Sequence, residues 1–341
     1  MVKRVSVKDI AREAGVSIAT VSYVINKRTD QVIAPQTVKR VEEAVARLGY
    51  VPNLGARALA SRKTKLIGLM IPQTEKEQRL MFSNSFYGEF LSGLEYEASK
   101  KDYSILISGS RGQQSYSKVA KTRSLDGIVV VGVDSPGDVE DLKKADIPVV
   151  LVDYWGPETG VNKVNIEDKR GGYLAARHFL DMGHRKIALA TGYLKAQGVN
   201  AQRHDGYRQA LQEAGIEDDP GMIFSGTVSY EYGLELGGII ASMEDRPTAV
   251  FCTADILALG LIKGLAKASL RVPEDVSVIG FDDGFLALAA SPELTSIRQD
   301  VAKKAEVSAQ LLIDALDDKG IAQRSVVLQV SLVERGTVKR I

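Results

Sequence analysis

Apolar residues recur along the first fifty positions at the spacing of one helix face. Val7, Ile10, Ala11 and Ala14 fall at i, i+3, i+4 and i+7, the period of a half-buried helix. Ser6 stands before them with Asp9 three places on, close to a capping box, and Gly15 supplies the positive φ that ends such a helix. Ser17 then starts a second helix whose Val21, Val24 and Ile25 face inward. Two short helices meeting across a glycine-bearing turn predict a helix-turn-helix. The second helix turns Ile18, Ala19, Thr20, Ser22, Tyr23 and Asn26 outward. Small and polar groups of this kind fit a major groove, where a merely solvated face would carry Glu and Lys. A third helix starts at Pro35, buries Val38, Val41, Val45 and Leu48, and stops at Gly49.

From Leu66 the pattern changes. Short apolar, β-branched runs occupy 66–71, 103–108, 127–131, 148–153, 186–191, 222–224, 249–253 and 276–282, separated by amphipathic stretches such as 170–182 and 203–214. That alternation predicts parallel sheets covered by helices. Its length suits two doubly wound sheets, with ligand sites at the carboxyl ends of the strands. The fold class expected is thus an all-α helix-turn-helix head on an α/β core of two doubly wound parallel-sheet subdomains.

Composition narrows the picture. With 45% hydrophobic and 26% charged residues in 341, the chain reads as a soluble globular protein of two or three domains. It has no apolar run of the roughly eighteen residues that a membrane span needs, and no apolar segment follows the basic N-terminus as in a secretory signal. The lone Cys252 lies in an apolar run, the place of a buried thiol, and fits a reducing cytoplasm. Residues 1–65 hold 13 Lys and Arg against 5 Asp and Glu, so a head of +8 sits on a body of −7 within a net of +1. A basic head is the electrostatic footprint of a polyanion binder. Dinucleotide, P-loop and nucleophile-elbow motifs are missing, and His178, His184 and His204 show no metal-ligand spacing. The sequence therefore predicts no enzyme, no cofactor and no metal.

Val7-Lys8-Asp9-Ile10-Ala11-Arg12-Glu13-Ala14-Gly15-Val16-Ser17, Ala19-Thr20-Val21-Ser22 and Val24-Ile25-Asn26 resemble the lactose-repressor (LacI/GalR) family of bacterial regulators. So do Leu48-Gly49-Tyr50-Val51-Pro52-Asn53 and Ala56-Arg57-Ala58-Leu59-Ala60-Ser61. In the body the likeness runs through Gly183-His184-Arg185-Lys186-Ile187 and Val272-Pro273-Glu274-Asp275-Val276-Ser277-Val278-Ile279-Gly280-Phe281-Asp282. The resemblance implies a DNA-binding domain at 1–52, a hinge and linker at 53–65, and a periplasmic-binding-protein-like effector and dimerisation core at 66–341. Within the core it implies one subdomain at about 66–164 and 296–323 and another at about 165–295 and 324–341.

It further implies DNA contacts from Ser17, Ile18, Ala19, Thr20, Ser22, Tyr23, Asn26 and Thr37. Asn53, Ala56, Arg57 and Leu59 would join them from a hinge that folds only on DNA, with Leu59 wedging between base pairs. Two departures stand out. Tyr23 replaces an arginine common in the family, and Gly55 takes a hinge position usually apolar, which costs helix stability. For the effector the resemblance implies Phe86, Tyr87, Asp153, Trp155, Arg203, Val228, Asp255 and Asp282. Asp153, Arg203 and Asp282 would meet hydroxyls, Phe86, Tyr87 and Trp155 would wall an apolar face, and Asp255 would either touch ligand or cap its helix. Val228 replaces an aromatic side chain there, which favours a sugar over a planar nucleoside or purine co-repressor. The expectation is a cytoplasmic homodimeric repressor on a pseudo-palindromic operator, controlled by a sugar-like effector. The rivals are a purine-type co-repressor and a sugar-binding or sugar-modifying protein with an incidental head.

Overall fold

The computed structural model describes residues 5–26, 31–50, 63–72, 81–110, 115–133, 135–317 and 322–341. Two units part between Lys65 and Leu66, one spanning Met1–Lys65 and the other Leu66–Ile341.

In the first unit the three expected helices form at Val7–Ala14, Ile18–Ile25 and Pro35–Leu48. Their ends follow local chemistry. The Ser6 backbone N–H and hydroxyl both donate to the Asp9 carboxylate, at 2.9 and 2.7 Å, and Gly15 and Gly49 terminate their helices at φ 63° and 61°. Ile10, Ala11, Ala14, Val21, Val41, Ala44 and Tyr50 close the small core, with Val24, Ile25, Val45 and Leu48 packed half-buried around it. The hinge positions Asn53, Gly55, Ala56, Arg57 and Leu59 lie outside the described residues.

The second unit holds two six-stranded sheets. The first runs β11-β5-β4-β3-β1-β2, with β1 at Leu66–Pro72, β2 at Ser104–Ser110, β3 at Gly127–Val131, β4 at Val149–Val152, β5 at Asn162–Ile166 and β11 at Ser325–Leu328. The second runs β12-β10-β9-β8-β6-β7, with β6 at Ile187–Gly192, β7 at Ile223–Gly226, β8 at Ala249–Cys252, β9 at Ser277–Asp282, β10 at Thr295–Gln299 and β12 at Val330–Val333. Every pairing is parallel except β10 with β12. Strands β3, β4 and β8 are buried from end to end, as parallel strands covered on both faces must be.

The expected subdomain boundaries need correction at two strands. Strand β10, expected with the first subdomain, pairs with β9 in the second sheet. Strand β11, expected with the second, pairs with β5 in the first. The physical reason is the helix Val301–Asp317, which lies between these strands in sequence. Its Val301, Ala305, Ala309, Leu311 and Leu312 fill the core of the first sheet, so the chain has already crossed back before β11 begins. Three crossings, after β5, β10 and β11, therefore join the subdomains.

Candidate functional site

Strands β9 and β10 end in Asp282 and Gln299, Asp153 and Thr253 directly follow β4 and β8, and the carboxyl ends of parallel strands are where open α/β sheets hold ligands. Two of these ends leave the extended region. Asp153 has φ 60° and Asp282 φ 111°, backbone conformations that aspartate tolerates better than most residues and that cluster at binding sites.

Arg203 is brought in by close helix packing. The helices Asp168–Asp181 and Val199–Glu213 touch at Gly172 and Gly206, where an added Cβ would lie 1.9 Å from the Arg203 carbonyl oxygen and 1.8 Å from that of Lys169. Only glycine permits this approach. It sets Arg203 Nε 2.8 Å from Asp168 Oδ1, while Nη1 donates to the Thr253 carbonyl at 2.7 Å. The guanidinium lies 3.6 Å above the Phe281 ring, a desolvated cation–π contact. Trp155 completes the group by donating its indole N–H to Asp168 Oδ2 at 2.8 Å.

A second thread runs beside the first. Lys304 Nζ donates to Asp153 Oδ1 at 2.8 Å and to Gln299 Oε1 at 2.5 Å. Gln299 Nε2 then donates to Asp282 Oδ1 at 2.6 Å. Lys304 is wholly buried, with its ammonium 5.1 Å from the Phe86 ring centre. Asp153 and Lys304 belong to the first subdomain and Gln299 and Asp282 to the second, so this thread ties the two sheets together, as does the Trp155–Asp168–Arg203 thread.

Burial governs the acids. Desolvation drives the Asp282 carboxyl up to about 6, against the pull of Arg203, the Gln299 amide and Lys304. It also raises Asp168 despite Arg203. Asp255 stands well above the ordinary carboxylate range, first through burial and then through the neighbouring charge of Asp282.

Six of the expected effector residues, Asp153, Trp155, Arg203, Asp282, Phe86 and Asp255, meet in or against this cluster, but four do so differently from expectation. Phe86 is no open wall: it is buried, stacked on Phe90 at 6.1 Å and faced by Lys304. Asp255 neither caps its own helix by its side chain nor stays open for a ligand. It accepts from Ser296 Oγ at 2.6 Å and from the Gly284 N–H at 3.1 Å. Arg203 and Asp153 are already engaged. Tyr87 is half-buried beside Phe86, and Val228 is half-buried against the core of the second sheet. Lys304, Gln299, Asp168 and Thr253 were not singled out from the sequence. Lys304 did carry a signal, because it is a lysine on the Val301, Ala305, Ser308, Leu312 stripe that faces the core.

In the head, Ile18 and Ala19 are exposed while Thr20, Ser22 and Tyr23 are half-buried. Ser17 Oγ accepts from the Thr20 N–H at 3.1 Å, so it caps the second helix. Asn26 turns its amide back to the Ser22 carbonyl at 2.8 Å, which occupies one donor expected to point outward. Thr37 is half-buried in the first turn of the third helix.

Comparison with known proteins covers both units. The sequence profile described as "Bacterial regulatory proteins, lacI family" matches residues 6–53, and that described as "Periplasmic binding protein-like domain" matches 176–338. Curated relatives include HTH-type transcriptional repressor PurR of Vibrio atlanticus, 36% identical with 98% of each chain covered, and that of Photobacterium profundum at 35% and the same coverage. Among solved structures, the Lac repressor dimer bound to operator and the anti-inducer ONPF superposes with a TM-score of 0.85 at 25% identity, covering 99% of this chain and 100% of that one. A complex of the transcriptional regulator CelR with cellobiose gives 0.72 at 28%, covering 98% and 100%. A LacI-family regulator from Enterococcus faecium with bound ribose gives 0.71 at 27%, covering 81% and 99%.

Proposed function

The chain belongs to the lacI family of bacterial regulatory proteins and is an effector-controlled, DNA-binding transcriptional repressor, and from that premise we propose that its effector is a hydroxylated, sugar-like molecule bound among Asp153, Trp155, Arg203 and Asp282. The observation that carries this reading is the pair of polar threads between the subdomains. A ligand rich in hydroxyls can exchange hydrogen bonds with such threads, and so change how the two sheets close on each other. Closure would alter the spacing of two hinges, and through them the fit of two heads to a pseudo-palindromic operator. The cytoplasm of a bacterium is the compartment this mechanism requires.

The DNA contacts proposed are the exposed or half-buried Ile18, Ala19, Thr20, Ser22 and Tyr23, with Ser17, Asn26 and Thr37 at helix ends. We take the working unit to be a homodimer. Ile107 on the edge strand β2, together with Phe285 and Leu288, is an exposed large apolar side chain of the kind a second copy covers.

A nucleoside or purine-type co-repressor is the second reading, favoured by the alignment with repressors named PurR over 98% of the chain. A planar ligand needs stacking faces, and here Val228 offers none while the Phe86 ring is faced by Lys304. Fluorescence anisotropy on DNA from upstream of the protein's own gene tests the reading, with sugars and nucleosides as additives. Salt-sensitive, sequence-specific binding that a sugar alters supports it, whereas a response to purines alone transfers the site to the second reading.

A further inference from the structure

The ionisable groups of the cleft do not cancel. Asp153, Asp168, Asp255 and Asp282 bring four carboxylates to it, all buried, against the two buried cations Arg203 and Lys304. Arg203 is matched with Asp168 and Lys304 with Asp153, each at 2.8 Å. Asp255 has two neutral donors, the Ser296 hydroxyl and the Gly284 N–H. The neighbouring Asp283 is served by its own cations, Arg298 and Arg335. Glu89, on the helix Ser85–Ser99 of the other subdomain, approaches Gly284 and adds one more negative group.

Asp282 is the acid left over. It forms no ion pair among the described residues, and the only hydrogen bond its carboxylate accepts from them is the Gln299 amide on Oδ1. Oδ2 accepts nothing from a described residue and is not sealed off inside the protein. Arg203 and Lys304 act on it only from beyond contact distance, each being paired directly with another acid, and a carboxylate nine-tenths buried without a cation of its own is an unfavourable arrangement.

We propose, on the reading that this cleft is the effector site, that the effector carries a protonated amine beside its hydroxyls, and that the ammonium pairs with Asp282 Oδ2. The ligand class is an amino sugar or a closely related amine-bearing polyol. A hydroxyl would give Oδ2 one hydrogen bond and leave the charge in place. An ammonium gives up to three donors and cancels the charge. An added phosphate or carboxylate would meet four carboxylates while both cations are already engaged, so sugar phosphates and sugar acids are excluded. Without ligand, burial drives the Asp282 carboxyl up to about 6, and a proton then stands in for the missing cation at mildly acid pH. The preference for an amine is accordingly greatest near pH 7, where the carboxyl is ionised and the amine still largely protonated, and fades below pH 6.

The test uses the full chain at pH 7, with calorimetry and thermal shift on glucosamine, galactosamine and mannosamine. Each is set beside its parent hexose, its N-acetyl derivative and its 6-phosphate. The expected result is that one amino sugar binds at least tenfold more tightly than its three counterparts, and that Asp282→Asn removes this preference. The proposal is overturned if a parent hexose, an N-acetyl derivative or a phosphate binds as tightly as the amine. It is also overturned if Asp282→Asn keeps the preference, or if none of the three amino sugars binds. The effector-site reading fails separately. A neutral sugar that binds, and is lost in Trp155→Ala, sinks the amine and keeps the site, whereas ligand binding untouched by both variants removes the site itself.

Discussion

The head and the cleft use polar side chains in opposite ways. On the second helix of the head, Ile18 and Ala19 are exposed, and Thr20, Ser22 and Tyr23 keep part of their surface open. In the cleft, Asp153, Asp168, Arg203 and Lys304 are all buried and already paired with one another. A rigid surface that reads DNA gains from groups left open. A cleft that must switch gains from groups whose internal partners a ligand can replace. The head can therefore lose a contact without losing its fold, and the cleft cannot.

The sharpest break in this contrast is at Arg203. Arg203→Ala leaves Asp168, wholly buried, with only the Trp155 indole. Breaking such a pair costs about 3–5 kcal/mol. Urea denaturation should show that loss in the core, while the isolated melting of the head stays unchanged. Equal stability in the variant would mean that the pair contributes nothing to the fold.

Tyr23→Ala should do the reverse. Operator affinity falls by a factor corresponding to about 1–3 kcal/mol, and the core melts as before. A direct base contact predicts loss of discrimination at one half-site position, read by anisotropy on base-substituted operators. Uniform weakening across all substituted sites would instead assign Tyr23 to the DNA backbone.

Ser17→Ala is a smaller perturbation of the same unit. It removes the hydroxyl that accepts from the Thr20 N–H, and loss of such a cap costs about 1 kcal/mol. Circular dichroism melting of the head measures it. The drop in operator affinity should not exceed the drop in head stability, unless Ser17 also touches DNA.

A further effect concerns pH. Because the folded chain holds the Asp282 proton up to about pH 6, whereas an unfolded aspartate releases it near pH 4, Asp282 favours the folded state most below pH 4. That contribution is lost as pH rises through 6. The difference in melting temperature between wild type and Asp282→Asn should therefore change between pH 4 and 6 and level off above. A difference that is flat across this window would show that Asp282 titrates normally.

The same contrast decides what could be read from the sequence. The head is local chemistry: Ser6 with Asp9, Ser17 with Thr20, and Gly15 and Gly49 each act within four residues. Its helices were therefore legible. The eight strands with continuous apolar runs were legible too. Strands β5, β10, β11 and β12 were not, because Asn162–Ile166 and Thr295–Gln299 intersperse Asn, Lys, Ser, Arg and Gln among their apolar residues. Ser325–Leu328 and Val330–Val333 are edge strands left largely open, so neither forms a wholly buried run. In the cleft, Asp153 and Asp282 could be found at strand ends, but Asp153 meets a lysine 151 residues away. No spacing rule carries that distance. The resemblance implied where ligand residues stand, and the structure added that several of them are already held by the neighbouring Lys304, Asp168 and Gln299.

The central claim is that the cleft and the head are two halves of one switch, and reciprocity tests it most directly. Calorimetry on a ligand that stabilises the core should give its Kd for free protein and for operator-bound protein, while anisotropy gives the operator Kd with and without that ligand. The account predicts that the two ratios are the same factor, of roughly 5- to 150-fold. A ligand that binds among Asp153, Trp155, Arg203 and Asp282 yet leaves the operator Kd unchanged would contradict it.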